Sequence, residues 1–330
     1  MNKPTALITG ARGEMGHLLV PVLIDAGYDV AALDLDPLPP ELAGRCVESV
    51  VASVLDDEAV HGLVERHRPE VVFHLAAILS SKAELDPDLA HDVNVVGTIG
   101  LMRACGALAA DRGRSVRFLF PSSIAVYGLP DAGAKDRAGA VSEHQWTSPT
   151  GMYGCNKLYG ELLGAFHTRR AVEAGGPGLD FRCIRFPGLL SADTVPSGGT
   201  SDYGPEMIHA AARGLPYAAF VRADTRLPFM TMPDAVDAFL RLAEADAAAL
   251  STRVYNIRAF SPTADDVRRA ILQHFPDAAI TFDPVAARQR IVDSWPGDVD
   301  DRRARDDWGL APRHDFRAAI DDYLVPALRD

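Results

Sequence analysis

The chain has little of what marks a metal centre, a disulfide framework or a membrane segment. Its 330 residues include only four cysteines, without the paired spacing of zinc ligands or disulfides, and its ten histidines do not cluster. We therefore expect no metal, and buried thiols in a reducing cytoplasm. No apolar stretch approaches the length that crosses a bilayer, and we expect no signal segment. The formal net charge of −12 disfavours nucleic acid or an anionic membrane as a partner.

A glycine-rich turn follows the first apolar run of the chain. The run Thr5–Thr9 predicts a buried strand, and the turn at residues 10–16 leads into apolar residues at helical spacing. Strand, glycine turn and helix are the context of a dinucleotide fingerprint, because the backbone can approach a pyrophosphate and the helix N terminus supplies free N–H groups. Asp34 ends the next predicted strand, where an acid accepts bonds from ribose hydroxyls and repels a 2′-phosphate. This favours NAD over NADP, although Arg12 in the turn could bind a phosphate.

Strands and helices alternate through about residue 190. Continuous apolar strands at 71–75, 116–120 and 181–186 are separated by helical stretches, one of them a long stretch from about residue 88 to residue 112. This alternation predicts an α/β fold with a Rossmann-type, doubly wound parallel sheet. Beyond residue 190 the pattern changes to loops, helices and short strands. We therefore expect an NAD-binding domain over 1–190 that carries the catalytic residues, and a smaller C-terminal substrate-binding domain over 191–330. Segments at about 215–260 could return to the first domain.

Tyr153 and Lys157 are spaced by one helical turn in a predicted helix. That spacing puts both side chains on one face, where a cation favours the phenolate and lowers the tyrosine pKa toward the range of a general base. The pair also arises by chance, so its interpretation depends on the glycine turn upstream. Ser123 follows a predicted strand and either presents its hydroxyl to a substrate oxygen or caps the turn. Asn94, in a helical run, could order water near Lys157.

These residues resemble the extended short-chain dehydrogenase/reductase family, which includes sugar-nucleotide epimerases and dehydratases. The resemblance rests on Thr9-Gly10-x-x-Gly13-x-x-Gly16, His74-Leu75-Ala76-Ala77, Ser122-Ser123 with Val126-Tyr127-Gly128, Tyr153-x-x-x-Lys157 and Arg185-x-Pro187-Gly188. In the second half, the segments at 198–203, 227–235, 293–296 and 304–309 look like the short-chain type of L-threonine 3-dehydrogenase.

The resemblance implies roles for individual residues. Tyr153 would be the general base, Ser123 would hold the substrate oxygen, and Lys157 would bind the nicotinamide ribose. Together with the fingerprint it places these residues at NAD: Gly10, Arg12, Gly13, Glu14, Met15, Gly16, Asp34, Leu35, Ser53, Val54, Leu75, Ala76, Ala77, Tyr153, Lys157, Pro187, Gly188 and Leu189. At the substrate it places Ser80, Ser81, Lys82, Ser123, Tyr153, Thr200, Ser201 and Trp295. Lys82 departs from the family pattern. It would strengthen binding of a carboxylate or accept a larger anionic substrate, or it projects into solvent.

Three functions remain open from the sequence. The first is NAD-dependent oxidation of a small β-hydroxy amino acid, with L-threonine as the best candidate, or of another small hydroxy acid. The second is a sugar-nucleotide epimerase or dehydratase that regenerates its NAD, and the third is a non-catalytic NAD-binding scaffold. The resemblance also implies a homodimer. Leu158, Leu162 and Phe166 form an apolar stripe on the predicted helix at 150–174, which fits either a partner subunit or the chain's own sheet.

Overall fold

The computed structural model describes residues 3–194 and 199–329. Within these ranges the strands are β1 Thr5–Thr9, β2 Asp29–Asp34, β3 Glu48–Val51, β4 Val71–His74, β5 Val116–Ser123, β6 Ala140–Val141, β7 Leu179–Phe186, β8 Gly188–Leu190, β9 Tyr217–Ala219, β10 Phe229–Thr231, β11 Val254–Asn256, β12 Ile280–Phe282 and β13 Asp298–Val299.

In the first half of the described chain, most strands are followed in sequence by a helix. The helices of the described residues are α1 Glu14–Asp25, α2 Pro40–Ala43, α3 Asp57–His67, α4 Ser80–Leu85, α5 Pro87–His91, α6 Thr98–Arg112, α7 Ala132–Ala138, α8 Met152–Glu173, α9 Tyr203–Ala212, α10 Met232–Glu244, α11 Ala264–His274, α12 Ala286–Ser294, α13 Arg302–Trp308, α14 Phe316–Ala318 and α15 Val325–Arg329. Two π-helical turns, Asp92–Gly97 and Ala319–Leu324, and one 3₁₀ turn, Ile124–Val126, join them.

Seven strands form the central sheet in the order β11-β7-β5-β4-β1-β2-β3. The pairings of β1 with β2 and β4, of β2 with β3 and of β4 with β5 are all parallel. The central strands are mostly apolar, as expected of strands covered by helices on both faces, and Leu7, Val72, Phe118 and Phe181 are fully or almost fully buried. The doubly wound parallel sheet predicted from the sequence is confirmed.

The long predicted helix before β5 is interrupted. The sequence predicted one helix from about residue 88 to residue 112, whereas the structure has α5, the π turn Asp92–Gly97 and then α6. The whole stretch Pro87–Arg112 is long and apolar enough to cross a membrane by length and composition, which corrects our expectation that no stretch reaches that length. It packs as a core helix, since 56% of its most apolar window is buried inside the fold.

The described residues cluster into two compact units. The first comprises Met1–Ser122, Cys155–Ile184 and Phe239–Val254, and contains almost all of the central sheet. The second comprises Ser123–Gly154, Arg185–Ala238 and Tyr255–Asp330. The units are interleaved along the chain, in contrast to the single boundary expected near residue 190. The stretch 239–254 of the first unit lies within the segment at about 215–260 that we expected could return there, and the division into an NAD-binding and a substrate-binding domain stays a prediction.

Candidate active site

The glycine turn between β1 and α1 is shaped by backbone contacts in the first unit. Gly10 has a positive φ of 70°, and a Cβ there would come within 2.6 Å of the backbone nitrogen of Ala76. A Cβ on Gly16 would come within 2.5 Å of the Ala11 carbonyl oxygen. The Gly10 N–H donates to the Leu33 carbonyl at 2.9 Å, which ties the turn to the end of β2. Only glycine permits this close approach, so the turn leaves its backbone open to a ligand.

A cleft of about 480 Å³ opens beside this turn. Ten of the residues that we predicted at NAD line it: Gly10, Arg12, Gly13, Asp34, Leu35, Ser53, Val54, Leu75, Ala76 and Ala77. Glu14, Met15 and Gly16 do not line the cleft and form the first turn of α1 instead. The sequence missed five further lining residues, Leu33, Asp36, Ala52, Ile78 and Val93, because nothing in their local pattern distinguishes them from core or loop positions.

Asp34 closes the cleft at the end of β2. Its carboxylate accepts the backbone N–H of Arg12 at 2.8 Å and that of Asp36 at 3.2 Å. The Arg12 side chain pairs at 3.1 Å with Asp36 rather than with Asp34, and both partners of that pair are largely exposed. A glycine cradle, a helix N terminus and a carboxylate at the end of the second strand are the groups that hold the pyrophosphate and adenosine ribose of a dinucleotide. The residues present therefore fit NAD.

Asn94 is buried in the π turn, and its amide is fully engaged. It accepts the Ile78 N–H at 2.7 Å, donates to the Ile78 carbonyl at 3.0 Å and donates to the Asn156 side chain at 3.2 Å. The sequence suggested that Asn94 orders water near Lys157. These bonds hold the loop that leaves β4 and lines the cleft, a role that the sequence did not reveal, and the ordering of water by Asn94 stays a prediction.

Lys157 lies on the buried face of α8. Its Nζ is 4.7 Å from the centroid of the Phe120 ring, and the side chain is 3% exposed. Burial lowers the Lys157 pKa to about 8, so the group is still mainly an ammonium at neutral pH. One turn further along, Glu161 accepts the Ser122 hydroxyl at 2.5 Å.

In the second unit, the turn after β5 packs on the start of α8. Ser123 accepts the Ala125 N–H at 3.1 Å and so caps the 3₁₀ turn, which is the alternative that we had left open for this serine. A Cβ on Gly154 would come within 2.1 Å of the Ala125 carbonyl oxygen. This contact fixes the Ser123 turn against the residue that follows Tyr153. The sequence shows the glycine after Tyr153, but it does not show that Ala125 is the residue packed against that glycine.

The environment of Tyr153 differs from our expectation. We expected the lysine one turn away to lower the tyrosine pKa, whereas burial raises the Tyr153 pKa above its ordinary value in this structure. The residue as a whole is partly exposed. Desolvation disfavours the phenolate, so the phenol is neutral at physiological pH in this state.

Two of the motifs that carried the family resemblance meet in the second unit. The Arg185 guanidinium donates to the Tyr127 hydroxyl at 2.9 Å and to the Glu143 carbonyl at 2.7 Å. The Tyr127 hydroxyl in turn donates to the Asn256 side chain at 2.7 Å. All four residues are buried, so this network fixes the chain just before Pro187. Its members are far apart in sequence, and no local pattern pairs them.

The remaining predicted residues are distributed over both units. Ser80, Ser81 and Lys82 form the first turn of α4 in the first unit, and Lys82 is exposed. In the second unit Gly188 and Leu189 lie in β8, after Pro187, where a Cβ on Gly188 would come within 2.5 Å of the Phe229 ring. Thr200 and Trp295 are buried and Ser201 is partly buried. Gly198, from one of the motifs, lies outside the described residues.

Comparison with known proteins agrees with this geometry. The profile of the NAD dependent epimerase/dehydratase family matches residues 6–257. The mitochondrial L-threonine 3-dehydrogenase of Bos taurus is 35% identical over 311 residues, covering 94% of this chain and 78% of that protein. An uncharacterized epimerase/dehydratase of Staphylococcus aureus (strain USA300) is 36% identical over 326 residues, covering 98% and 96%. The apo structure of a monomeric L-threonine 3-dehydrogenase from a metagenome has a TM-score of 0.86 at 33% identity and covers 98% of each chain. The chain belongs to the NAD-dependent epimerase/dehydratase family.

Proposed function

We propose that the protein oxidises the hydroxyl of a small β-hydroxy amino acid with NAD, and that L-threonine is its substrate. The observation that carries the proposal is the contact between the Ala125 carbonyl and Gly154, which fixes the Ser123 turn beside the Tyr153 end of α8. A hydroxyl donor and a phenol held by one rigid contact suit the removal of a proton from an alcohol. The bovine and metagenomic relatives are both named L-threonine 3-dehydrogenase, which supports threonine as the substrate.

Each catalytic residue has a separate task in this proposal. Tyr153 accepts the proton of the substrate hydroxyl, and Ser123 holds the same oxygen. Because burial disfavours the phenolate, Tyr153 would require a positive charge nearby when it acts as the base. We assign that role to Lys157, one helical turn further along α8. Asn94 acts indirectly, by fixing the loop at Ile78.

NAD, when bound, accepts a hydride from the carbon that bears the hydroxyl, which leaves a ketone. The protein holds the adenosine half with the glycine turn and Asp34, and we assign the nicotinamide ribose to Lys157 and Tyr153. We assign Pro187, Gly188 and Leu189 to the carboxamide end, which they would contact when NAD is bound. We assign the carboxylate and amino group of the substrate to Ser80, Ser81, Lys82, Thr200, Ser201 and Trp295.

The direct test is formation of NADH, followed at 340 nm, when the purified protein is mixed with NAD and L-threonine. We expect Tyr153→Phe to lower kcat by at least about 100-fold, because the general base is removed. NAD affinity, measured by calorimetry, should change by less than about threefold. Tyr159→Phe is the matched control, since Tyr159 lies on the same helix and is exposed, and it should retain full activity.

Two outcomes would contradict the assignment. Full activity in Tyr153→Phe would exclude this residue as the base. No net NADH from threonine or related hydroxy acids, together with conversion of a UDP-sugar, would favour the epimerase or dehydratase function that the family also contains and that the staphylococcal relative's name suggests.

We also propose that the protein is a cytoplasmic homodimer that pairs through α8. Tyr159, Leu162 and Phe166 are 46%, 64% and 42% exposed, so these side chains are not buried against the chain's own sheet. Their spacing puts them on one stripe of the helix, which is the geometry of a helix–helix interface. The similar metagenomic enzyme is described as monomeric, so the stripe has to be tested in this chain.

A further inference from the structure

A chain of buried hydrogen bonds crosses the first unit behind the NAD cleft. The Thr9 hydroxyl is 2.7 Å from Nδ1 of His74, and Nε2 of His74 is 2.8 Å from the Thr98 hydroxyl. The Thr98 hydroxyl donates to the Asn94 carbonyl at 2.7 Å. Thr9, His74 and Thr98 are each at most 2% exposed, so no water competes for these bonds.

The direction of each bond follows from the number of protons available. The single hydroxyl proton of Thr98 is used on the Asn94 carbonyl, so Thr98 must accept from His74, and Nε2 carries the imidazole proton. Burial lowers the His74 pKa to about 3, with a smaller contribution from Lys157, so the ring has only that one proton at neutral pH. Nδ1 therefore accepts from the Thr9 hydroxyl. Every donor and acceptor of the imidazole is used, in one tautomer.

The ends of this chain of hydrogen bonds are attached to two different segments that line the cleft. Thr9 directly precedes Gly10 of the glycine turn, while Thr98 directly follows the π turn that contains Asn94. The Asn94 side chain in turn holds both backbone groups of Ile78, which lines the cleft. The backbone hydrogen bonds of the parallel ladder already join β1 to β4. The His74 side chain therefore adds one connection that the ladder does not make, from the sheet to the π turn. π turns are frequent at functional sites, where the widened backbone needs support.

We propose that His74 is a positioning residue for NAD: through Thr9 and Thr98 it fixes the distance between the glycine turn and the π turn, and thereby the width of the cleft. It touches neither the reacting atoms nor the proton that is transferred. The small residues Ala76 and Ala77, which line the cleft, come shortly after His74 in the chain, so fixing His74 also fixes the segment that carries them.

Thr98→Val tests this link, because valine keeps the shape of threonine and removes the hydroxyl. The imidazole N–H then loses its acceptor, and an unsatisfied buried group of this kind weakens the arrangement that needs it by at least about tenfold. We expect the Kd for NAD, measured by calorimetry on the full chain, to rise by that factor. At saturating NAD, kcat should stay within about twofold. Thr98→Ser, which keeps the hydroxyl, should restore the affinity.

The matched control is Thr168→Val. Thr168 is also buried in the first unit, donates to the Leu179 carbonyl at 2.9 Å and accepts the Phe181 N–H at 3.1 Å, but it does not line the cleft. Loss of the Thr168 hydroxyl should lower Tm, as Thr98→Val does, but should leave the Kd for NAD unchanged. An unchanged Kd in Thr98→Val, or an equal rise in Thr168→Val, overturns the proposal. If Thr98→Val does not fold, Thr9→Val removes the hydroxyl at the other end of the chain, in a strand that favours valine, and is judged by the same two criteria.

Discussion

The carbonyl of Ala125 lies against Gly154 in the first turn of α8, at a distance that leaves no room for a methyl group. In Gly154→Ala either the helix start or the Ser123 turn must move. A displacement of about 1 Å between reacting groups lowers turnover by about 100-fold. We expect kcat with threonine to fall by that order while NAD affinity is kept, which steady-state kinetics and calorimetry would separate.

Gly106→Ala is the control for this substitution. Gly106 is also inside a helix, and a Cβ there meets nothing within 4 Å. The change should leave kcat unaltered and stabilise the protein by about 0.5–1 kcal/mol, because alanine favours the helix. Equal losses of activity in the two variants would show that the Ser123 turn is not the cause.

His74 makes stability depend on pH. Burial lowers its pKa from 6.5 to about 3, so between these values the unfolded chain binds a proton that the native protein does not. The free energy of unfolding therefore falls as the pH drops below 6.5, by up to about 1.4 kcal/mol per pH unit for this group. Urea unfolding at pH 7 and pH 5 should show a smaller loss in His74→Gln than in the wild type. Identical losses would mean that the histidine can be protonated in the native state.

At the scale of elements, we expect the end of β2 to determine which dinucleotide binds. Asp34 meets the glycine turn there, and a carboxylate at this position repels a 2′-phosphate. Asp34→Ser keeps an acceptor for the Arg12 N–H but removes the charge. The ratio of kcat/KM for NAD to that for NADP should fall by at least about tenfold.

Asp36→Ser is the control that shows whether the preference for NAD depends on a negative charge at Asp34 or on any negative charge in the cleft. Asp36 lines the same cleft, but its carboxylate pairs with the Arg12 side chain. Its removal should change the NAD to NADP ratio less than Asp34→Ser does. If both variants shift the ratio equally, Asp34 is not the discriminating residue.

Elements with a local signature were predictable, and those that depend on distant partners were not. The strands β1, β4 and β5 are short apolar runs next to turns, and the glycine turn has its own spacing, so their pattern was sufficient. The π turn at Asp92–Gly97 was missed because apolar periodicity over one turn does not separate a π from an α geometry. The bond between His74 and Thr98 joins residues whose side chains give no local signal.

At the scale of the whole molecule, the interleaving of the two units depends on arginines that reach helix ends. Arg182 donates to the carbonyls of Leu242 and Ala245 at 2.6 and 2.7 Å, and Arg117 donates to that of Ala243 at 2.9 Å. These are the carbonyls at the C-terminal end of α10, which lack helical partners and carry the negative end of the dipole. The contacts bring 239–254 into the first unit. The sequence suggested a return in this region only broadly, because it does not pair an arginine with a distant carbonyl.

Subunit pairing through α8 is tested with Leu162→Glu combined with Phe166→Glu. Two carboxylates on the apolar stripe would have to be buried at an interface, which is unfavourable without partners. Light scattering after size-exclusion chromatography should show a dimer for the wild type and a monomer for the variant. Val172→Glu, at a 72% exposed position near the end of the same helix, should remain dimeric. A monomeric wild type would refute the proposal.

The glycines of α8 have a consequence for how the protein folds. Gly160 and Gly164 let the helix lie directly on the rings of Phe120 and Phe181, at positions where a Cβ would come within 2.5 and 2.2 Å. Together with Gly154 they make the helix intrinsically weak, by about 1 kcal/mol for each glycine relative to alanine. A peptide of residues 152–173 should therefore be largely unstructured in water. We therefore expect the helix that carries Tyr153 and Lys157 to form only once the sheet offers it a surface, so that catalytic competence is acquired late in folding.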